Sequence, residues 1–394
     1  MATFCTYYDS GGCRSCELIL VPYAEQIARK EAEASRRLAQ AMGAEPRLLP
    51  TVSSPPQRFR NRAKLSVTGT AAHPIIGLLG ETDLDAGREL LACPIHHPRI
   101  NQMLARMPAW IEQFQLIPYT IATQRGELKA IIAFYSSATD QMYLRFVLRS
   151  KECVARLIKL LPVLQKELPF VRCVSANLQP IPHAILEGPE EISITAESDI
   201  DHEIGGVKFA LAPQAFVQTN SEVAAQLYQT AAEWIAQIHP ARMLELYCGQ
   251  GVFSILAAAG IADGLAVEIN ASAVEAAQKT AARLGLSQLR FECRDATQLP
   301  ETMAHYAPDV VLVNPPRRGL GNSLAMIIAQ RPQHLLYSSC SIVSLAEDLV
   351  RLNECAAEGG RYRIRQAQIF DLFPHTEHFE TLLWLEKTGP SACG

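Results

Sequence analysis

From about residue 205 onward, short apolar runs alternate with longer stretches of helical periodicity. Met243–Tyr247, Gly264–Glu268, Asp309–Val313 and His334–Tyr337 are four such runs. Runs this short, bounded by turn residues and repeated between helices, read as strands covered on both faces in a doubly wound parallel sheet. The amino-terminal half has a different rhythm. Pro22–Met42 reads as a helix, rich in good helix formers, opened by proline and stopped by Gly43. We take it as a connector with no chemistry in it. Residues from about 60 to 200 alternate less regularly and suggest a mixed α/β domain with strands near 129–135, 142–148, 171–178 and 192–195. The pattern divides the chain into 1–50, 51–204 and 205–394.

At 394 residues and 48% hydrophobic, the chain can bury large cores. No apolar run approaches the roughly 18 residues of a membrane span, and Met1–Cys5 lacks the features of a signal peptide. We therefore expect a cytoplasmic protein, and a monomer. The net charge of −4 gives no global attraction to nucleic acid, so any such partner must be held by local basic patches. One candidate is Pro55–Val67. As a strand it would turn Arg58, Arg60, Arg62 and Lys64 to one side and Phe59, Ala63 and Leu65 to the other, a one-faced cationic stripe. An ordinary solvated polar face is the competing reading.

Eleven cysteines without an export signal argue for metal or catalytic use over disulfides. Cys5, Cys13 and Cys16 form a C-x7-C-x2-C group, and Cys93 precedes Pro94. Three close thiols and a distant Cys-Pro fit an iron–sulfur cluster; a four-cysteine zinc site competes with it. Cys153, Cys173, Cys248, Cys293, Cys355 and Cys393 suggest no role.

In the second half, Tyr247-Cys248-Gly249-Gln250-Gly251 turns a strand into a helix, where glycines let a ligand approach the backbone. The missing third glycine makes this a weak dinucleotide signal. Glu268 closes the next strand about twenty residues beyond the glycines, where a carboxylate accepts hydrogen bonds from both ribose hydroxyls. NAD and S-adenosyl-L-methionine are both compatible. Asn314-Pro315-Pro316-Arg317-Arg318-Gly319 favours the methyl donor, because it fixes a polar group on a rigid loop at the crevice. Arg317 stands where amino-group methyltransferases place a stacking aromatic, which argues against that chemistry. The run His334–Ser339 then stops at Cys340, placing a thiol at the carboxyl end of a strand, where open α/β sheets bind ligands.

Taken in order, Phe216–Asn220, Leu246–Gly251, Glu268, Asn314–Gly319, Ser338–Cys340 and His378–Leu383 resemble the RNA 5-methyluridine methyltransferase family over nearly the whole chain. The cysteine pattern and the lack of an appended RNA-binding barrel are most similar to members acting on 23S ribosomal RNA. The resemblance implies a class I S-adenosylmethionine-dependent methyltransferase, a Rossmann-like α/β sheet with an amino-terminal iron–sulfur segment and a central mixed α/β domain. It implies Cys340 as nucleophile and Glu380 as base. Gln218, Tyr247, Glu268 and Asn314 would contact the methyl donor, and Cys5, Cys13, Cys16 and Cys93 would hold a [4Fe–4S] cluster. Many relatives acting on transfer RNA carry aspartate at the position of Asn314. A transfer RNA uridine is the second substrate to consider, followed by a non-catalytic RNA-binding module and, more distantly, a dehydrogenase.

Overall fold

The computed structural model describes residues 3–80, 83–181, 186–297, 306–355 and 360–388. Cys393 lies outside them. The chain forms two compact units. The first comprises residues 1–20, 55–204 and 208–221; the second comprises 21–54, 205–207 and 222–394. Helix α1 (Thr6–Asp9) lies in the first and helix α2 (Tyr23–Met42) in the second. The residues just after the amino-terminal cysteines thus pack with the carboxy-terminal half.

The first unit is built on a seven-stranded sheet in the order β3-β2-β1-β4-β5-β6-β7. The strands are β1 (Arg62–Gly69), β2 (Pro74–Leu78), β3 (Arg88–Glu89), β4 (Leu128–Ser136), β5 (Gln141–Leu148), β6 (Val171–Leu178) and β7 (Glu190–Ser193). Only β5 and β6 run parallel, joined across helix α4 (Val154–Glu167). Strand alternation sorts the core. Ile131 and Ala133 of β4 pack with Ile100, Met103 and Met107 of helix α3 (Pro98–Gln113), while Ala130, Ile132 and Phe134 face a second cluster. The latter includes Ile200 and Leu211 from the ribbon of β8 (Ile200–Ile204) and β9 (Val207–Leu211).

The second unit begins its main run with helix α5 (Ser221–Ile238) and carries a seven-stranded sheet ordered β12-β11-β10-β13-β14-β16-β15. These are β10 (Arg242–Leu246), β11 (Asp263–Glu268), β12 (Leu289–Cys293), β13 (Val310–Val313), β14 (His334–Ser339), β15 (Tyr362–Phe370) and β16 (Glu380–Lys387). β12, β11, β10, β13 and β14 are parallel; β16 pairs antiparallel with β14, and β15 antiparallel with β16. Helices α6 (Val252–Ala257), α7 (Ala271–Arg283), α8 (Ser323–Gln330) and α9 (Ile342–Cys355) connect them. Leu244, Leu246, Val311, Val313, Leu335 and Tyr337 form a core with Leu345 and Leu349 of α9 and with Ala34 and Leu38 of α2. Gly43 ends α2 at φ 70°, its N–H donating to the Ala39 carbonyl. The chain then borders β15, where Val52 donates to the Ile369 carbonyl at 2.9 Å. No helix among the described residues is long and apolar enough to cross a membrane.

Candidate active site

Strand order sets four of the expected residues in a row. Glu268 ends β11, Tyr247 follows β10, Asn314 follows β13 and Cys340 follows β14, and these strands are consecutive neighbours in the sheet. Parallel neighbours lie about 4.8 Å apart, so the four positions line one rim at the carboxyl ends.

The loop after β10 is bent sharply. Tyr247 stands at φ 61°, unusual for a residue with a side chain, and its hydroxyl lies 2.5 Å from Ser323 Oγ. Gly251 has φ 71°, and a Cβ there would come within 2.3 Å of the Phe291 ring. Glu268 braces this turn, Oε2 accepting the Gly249 N–H at 3.0 Å and Oε1 the Asn270 N–H at 2.9 Å. Its remaining lone pairs can still accept ribose hydroxyls.

Beneath the loop lies a residue the sequence reading passed over. Glu245 of β10 is fully buried; Oε2 accepts both the N–H, at 3.0 Å, and the hydroxyl of Ser254, and Oε1 has no partner. Burial pushes its carboxyl up to about 8. The available signal was an acid inside an otherwise apolar strand run. Burial chiefly, then the neighbouring Glu245 and Glu268, push the Cys248 thiol up and keep it protonated; such a thiol is inert.

The Asn-Pro-Pro loop is fastened from below. Asn314 is half-buried and Pro315 buried. At Gly319, φ is 79° and a Cβ would meet Asp348 Oδ2 at 2.5 Å. That same oxygen accepts the Leu320 N–H and the Tyr337 hydroxyl, each at 2.7 Å. Ser344 Oγ donates to the Arg317 carbonyl at 2.9 Å.

Cys340 and Glu380 are brought together by the antiparallel pairing of β14 with β16. Ser338 faces Leu382 and Ser339 faces Thr381, so one further step sets Cys340 opposite Glu380. Ser338, Cys340 and Glu380 share a face by alternation. The Ser338 hydroxyl donates to Glu380 Oε1 at 2.6 Å. Glu380 is 1% exposed, and burial raises its carboxyl to about 7 even though Ser338 favours the charged form. Burial also raises the Cys340 thiol, the Glu380 carboxylate adds to this, and the Arg317 guanidinium opposes both. Cys340 opens onto a pocket of about 340 Å³ whose walls include Lys30, Glu33, Arg317, His378 and Phe379. Helix α2, expected to be a connector, therefore contributes to the pocket of the candidate nucleophile.

Gln218 belongs to the first unit, in the segment that follows β9, where it is buried and adjoins Val217 of the core. The four amino-terminal candidates lie in that unit too. Cys5 and Cys93 are buried, and Cys13 and Cys16 half-buried. Among the described residues, no three His, Cys, Asp or Glu side chains gather tightly enough for a single metal ion. The four thiols do share one neighbourhood. Burial chiefly, then Cys93, Cys13 and Cys5, push Cys16 up to about 12, with Arg60 opposing. The Cys93 sulfur accepts the backbone N–H groups of Ile95 and His96.

The cationic stripe is corrected. β1 starts only at Arg62, after Arg58 at φ 62° has broken the extended run. Arg60 is half-buried and donates to the Arg62 carbonyl at 3.0 Å; Arg62 is 7% exposed; Lys64 is ion-paired with Glu187. Only Arg58 and Lys64 of the four are exposed.

A family model for tRNA (uracil-5-)-methyltransferases matches residues 203–388. The 23S rRNA (uracil(747)-C(5))-methyltransferase RlmC of Shewanella sp. strain MR-4 is 38% identical over 97% of this chain and 98% of its own. The RlmC of Escherichia coli O139:H28 is 38% identical over 97% of this chain and 99% of its own. Among solved structures, the tRNA (uracil-54, C5)-methyltransferase of Pyrococcus abyssi with S-adenosyl-L-homocysteine shares the fold. Its TM-score is 0.74 at 21% identity, covering 94% of this chain and 85% of that one. By its near full-length identity to these relatives, the chain belongs to the RNA (uracil-C5)-methyltransferase family.

Proposed function

We propose that the protein methylates carbon 5 of a uridine in 23S ribosomal RNA through a transient bond between Cys340 and carbon 6. The observation that carries this reading is a thiol and a buried carboxylate on one face of adjacent strands, at the rim where the methyl-donor loops converge. The near full-length relatives named for 23S rRNA support the choice of RNA.

Carbon 5 of uracil is a weak nucleophile until carbon 6 is substituted. In the proposed reaction the Cys340 thiolate donates a pair to carbon 6, and the carbon 5–carbon 6 π pair moves into the enolate at carbon 4. Cysteine suits this step because its thiolate is both nucleophile and leaving group. S-adenosyl-L-methionine, when bound, supplies an electrophilic methyl, which carbon 5 takes as the carbon–sulfonium bond breaks. Glu380 then removes the carbon 5 proton, the C–H pair reforms the double bond, and the sulfur–carbon 6 bond breaks to return the thiolate. A general base of this kind contributes about 10²–10⁴-fold. A carboxyl at about 7 is matched to such work near neutral pH. The target base must leave its stack to reach the thiol, at a cost of a few kcal/mol, least in a loop.

The donor fits the chain's own groups. Glycine 251 has no room for a Cβ, Glu268 has acceptors to spare, and Glu245 leaves an oxygen unpartnered below the turn. By the family resemblance, Gln218, Tyr247, Glu268 and Asn314 would hold it.

Cys5, Cys13, Cys16 and Cys93 would hold a [4Fe–4S] cluster, one thiolate per iron. Four thiols in one neighbourhood are the donor set that such a cluster needs. Arg60 and the N–H donors to Cys93 suit an anionic sulfur cage. Anaerobically purified protein should be coloured and contain iron; a colourless protein with stoichiometric zinc would overturn the cluster.

Transfer RNA is the second substrate reading, favoured by the name of the family model and of the Pyrococcus structure. Methylation of unmodified 23S rRNA but not of transfer RNA decides for the first. Cys340→Ala should abolish both methylation and the denaturant-stable protein–RNA adduct, and turnover by that variant would refute the nucleophile.

A further inference from the structure

The nine residues Asp371–Phe379 join β15 to β16, ending directly at Glu380. None of them belongs to a helix or strand. Three of the last four residues, Glu377, His378 and Phe379, line the pocket of Cys340. The strap is held by side chains from one stripe of α2. Asp371 Oδ1 receives Lys30 Nζ at 2.7 Å, and Oδ2 receives the Tyr23 hydroxyl at 2.8 Å. Lys30 Nζ also donates to the Phe373 carbonyl at 3.1 Å. His375, at φ 66°, donates its N–H to Gln26 Oε1 at 2.8 Å, with Gln26 Nε2 lying 3.2 Å from His375 Nδ1.

Tyr23, Gln26 and Lys30 follow the i, i+3, i+7 spacing of one helical face. Gln26, Lys30, Asp371 and His375 are each at most 3% exposed. Removing two charges from water costs several kcal/mol per ion, and a buried pair is often no more stable than apolar residues of the same size. The Lys30–Asp371 pair is thus a poor device for stability and a good one for fixing one course of the backbone.

We propose that Tyr23, Gln26 and Lys30 are positioning residues for Glu380, clamping the strap so that the base is delivered opposite Cys340. This rests on the assignment of Cys340 and Glu380 above. The clamp acts on proton removal, the step that needs Glu380, and leaves addition of the thiolate intact.

The test uses the full-length protein, unmodified 23S rRNA transcript and S-adenosylmethionine, with adduct and product followed separately. Lys30→Met/Asp371→Leu removes both charges and leaves neither stranded. It should form the adduct at close to the wild-type rate, yet lose roughly tenfold or more in product formation, so that adduct accumulates. Tyr23→Phe, which keeps the ion pair, should show the same imbalance to a smaller degree, and it decides the matter if the double variant does not fold. A folded double variant with wild-type product formation, or one that loses adduct and product equally, overturns the clamp; so does a wild-type profile for Tyr23→Phe if only that variant folds. Glu380→Gln is the control. Failure of that variant to accumulate adduct sinks the base assignment and the clamp with it, whereas normal trapping by it leaves a negative result charged to the clamp alone.

Discussion

Replacing Glu380 by glutamine should make the second unit more stable at neutral and alkaline pH. The carboxyl is fully buried and raised from 4.5 to about 7. Below about pH 4.5 it is protonated in both folded and unfolded chains and contributes no difference. Between 4.5 and 7 the unfolded chain gives up its proton while the folded one keeps it, so stability falls with rising pH, and the loss is complete above about 7. The size follows from about 1.4 kcal/mol per pH unit, giving about 3 kcal/mol in all. Glutamine has no proton to lose and can still accept the Ser338 hydroxyl. Its advantage should be near zero at pH 4.5 and grow to about 3 kcal/mol by pH 8, or roughly 6–12 °C in melting temperature for a unit of this size. Calorimetric unfolding of both proteins across this range reads it directly. Glu245, which titrates in an overlapping window, is common to both proteins and cancels. Parallel curves with a constant offset would refute the burial argument for Glu380.

Arg317 holds the Cys340 thiol down against burial and Glu380, so Arg317→Gln should move the pH profile of Cys340 alkylation by iodoacetamide upward; an unmoved profile would show that the guanidinium does not reach the thiol. Gly251→Ala combines a φ of 71° with a contact of 2.3 Å to Phe291. It should cost about 1–3 kcal/mol in thermal unfolding and weaken S-adenosylhomocysteine in calorimetric titration. Arg145 is fully buried against Glu191 and Glu187. Glu191→Gln removes the charge of one partner and should cost about 3 kcal/mol in urea unfolding, as for a broken buried pair. Lys64→Ala removes an exposed partner and should cost under about 1 kcal/mol; a larger loss for Lys64 than for Glu191 would invert the argument.

The second unit was legible because its strands are covered on both faces and so appear as unbroken apolar runs. Met243–Tyr247 and Gly264–Glu268 correspond to β10 and β11 to within a residue at either end. Cys340 could be placed at a strand's carboxyl end because the apolar run before it stops at two small polar residues, Ser338 and Ser339. The basic stretch misled. Alternation assumes an extended backbone, and Arg58 leaves it at φ 62°; nor does sequence reveal that Arg62 is sequestered. Helix α2 was underrated for the converse reason. Its buried face is Gln26, Lys30, Ala34 and Leu38, half polar, and polar residues at helical spacing look like a solvated face until their partners, here 341 to 349 residues downstream, are in view. Glu245 was visible as an acid in an apolar run, but its meaning needed the orphaned oxygen.

One carboxylate oxygen, Oδ2 of Asp348, moors both the turn after the prolines and the hydroxyl of Tyr337, three positions ahead of Cys340, the proposed nucleophile. A shared anchorage of that sort makes displacement common rather than relative. If α9 drifts, the donor-side turn and the sulfur-bearing strand travel as one body, and the gap a methyl group must cross is conserved when absolute positions are not.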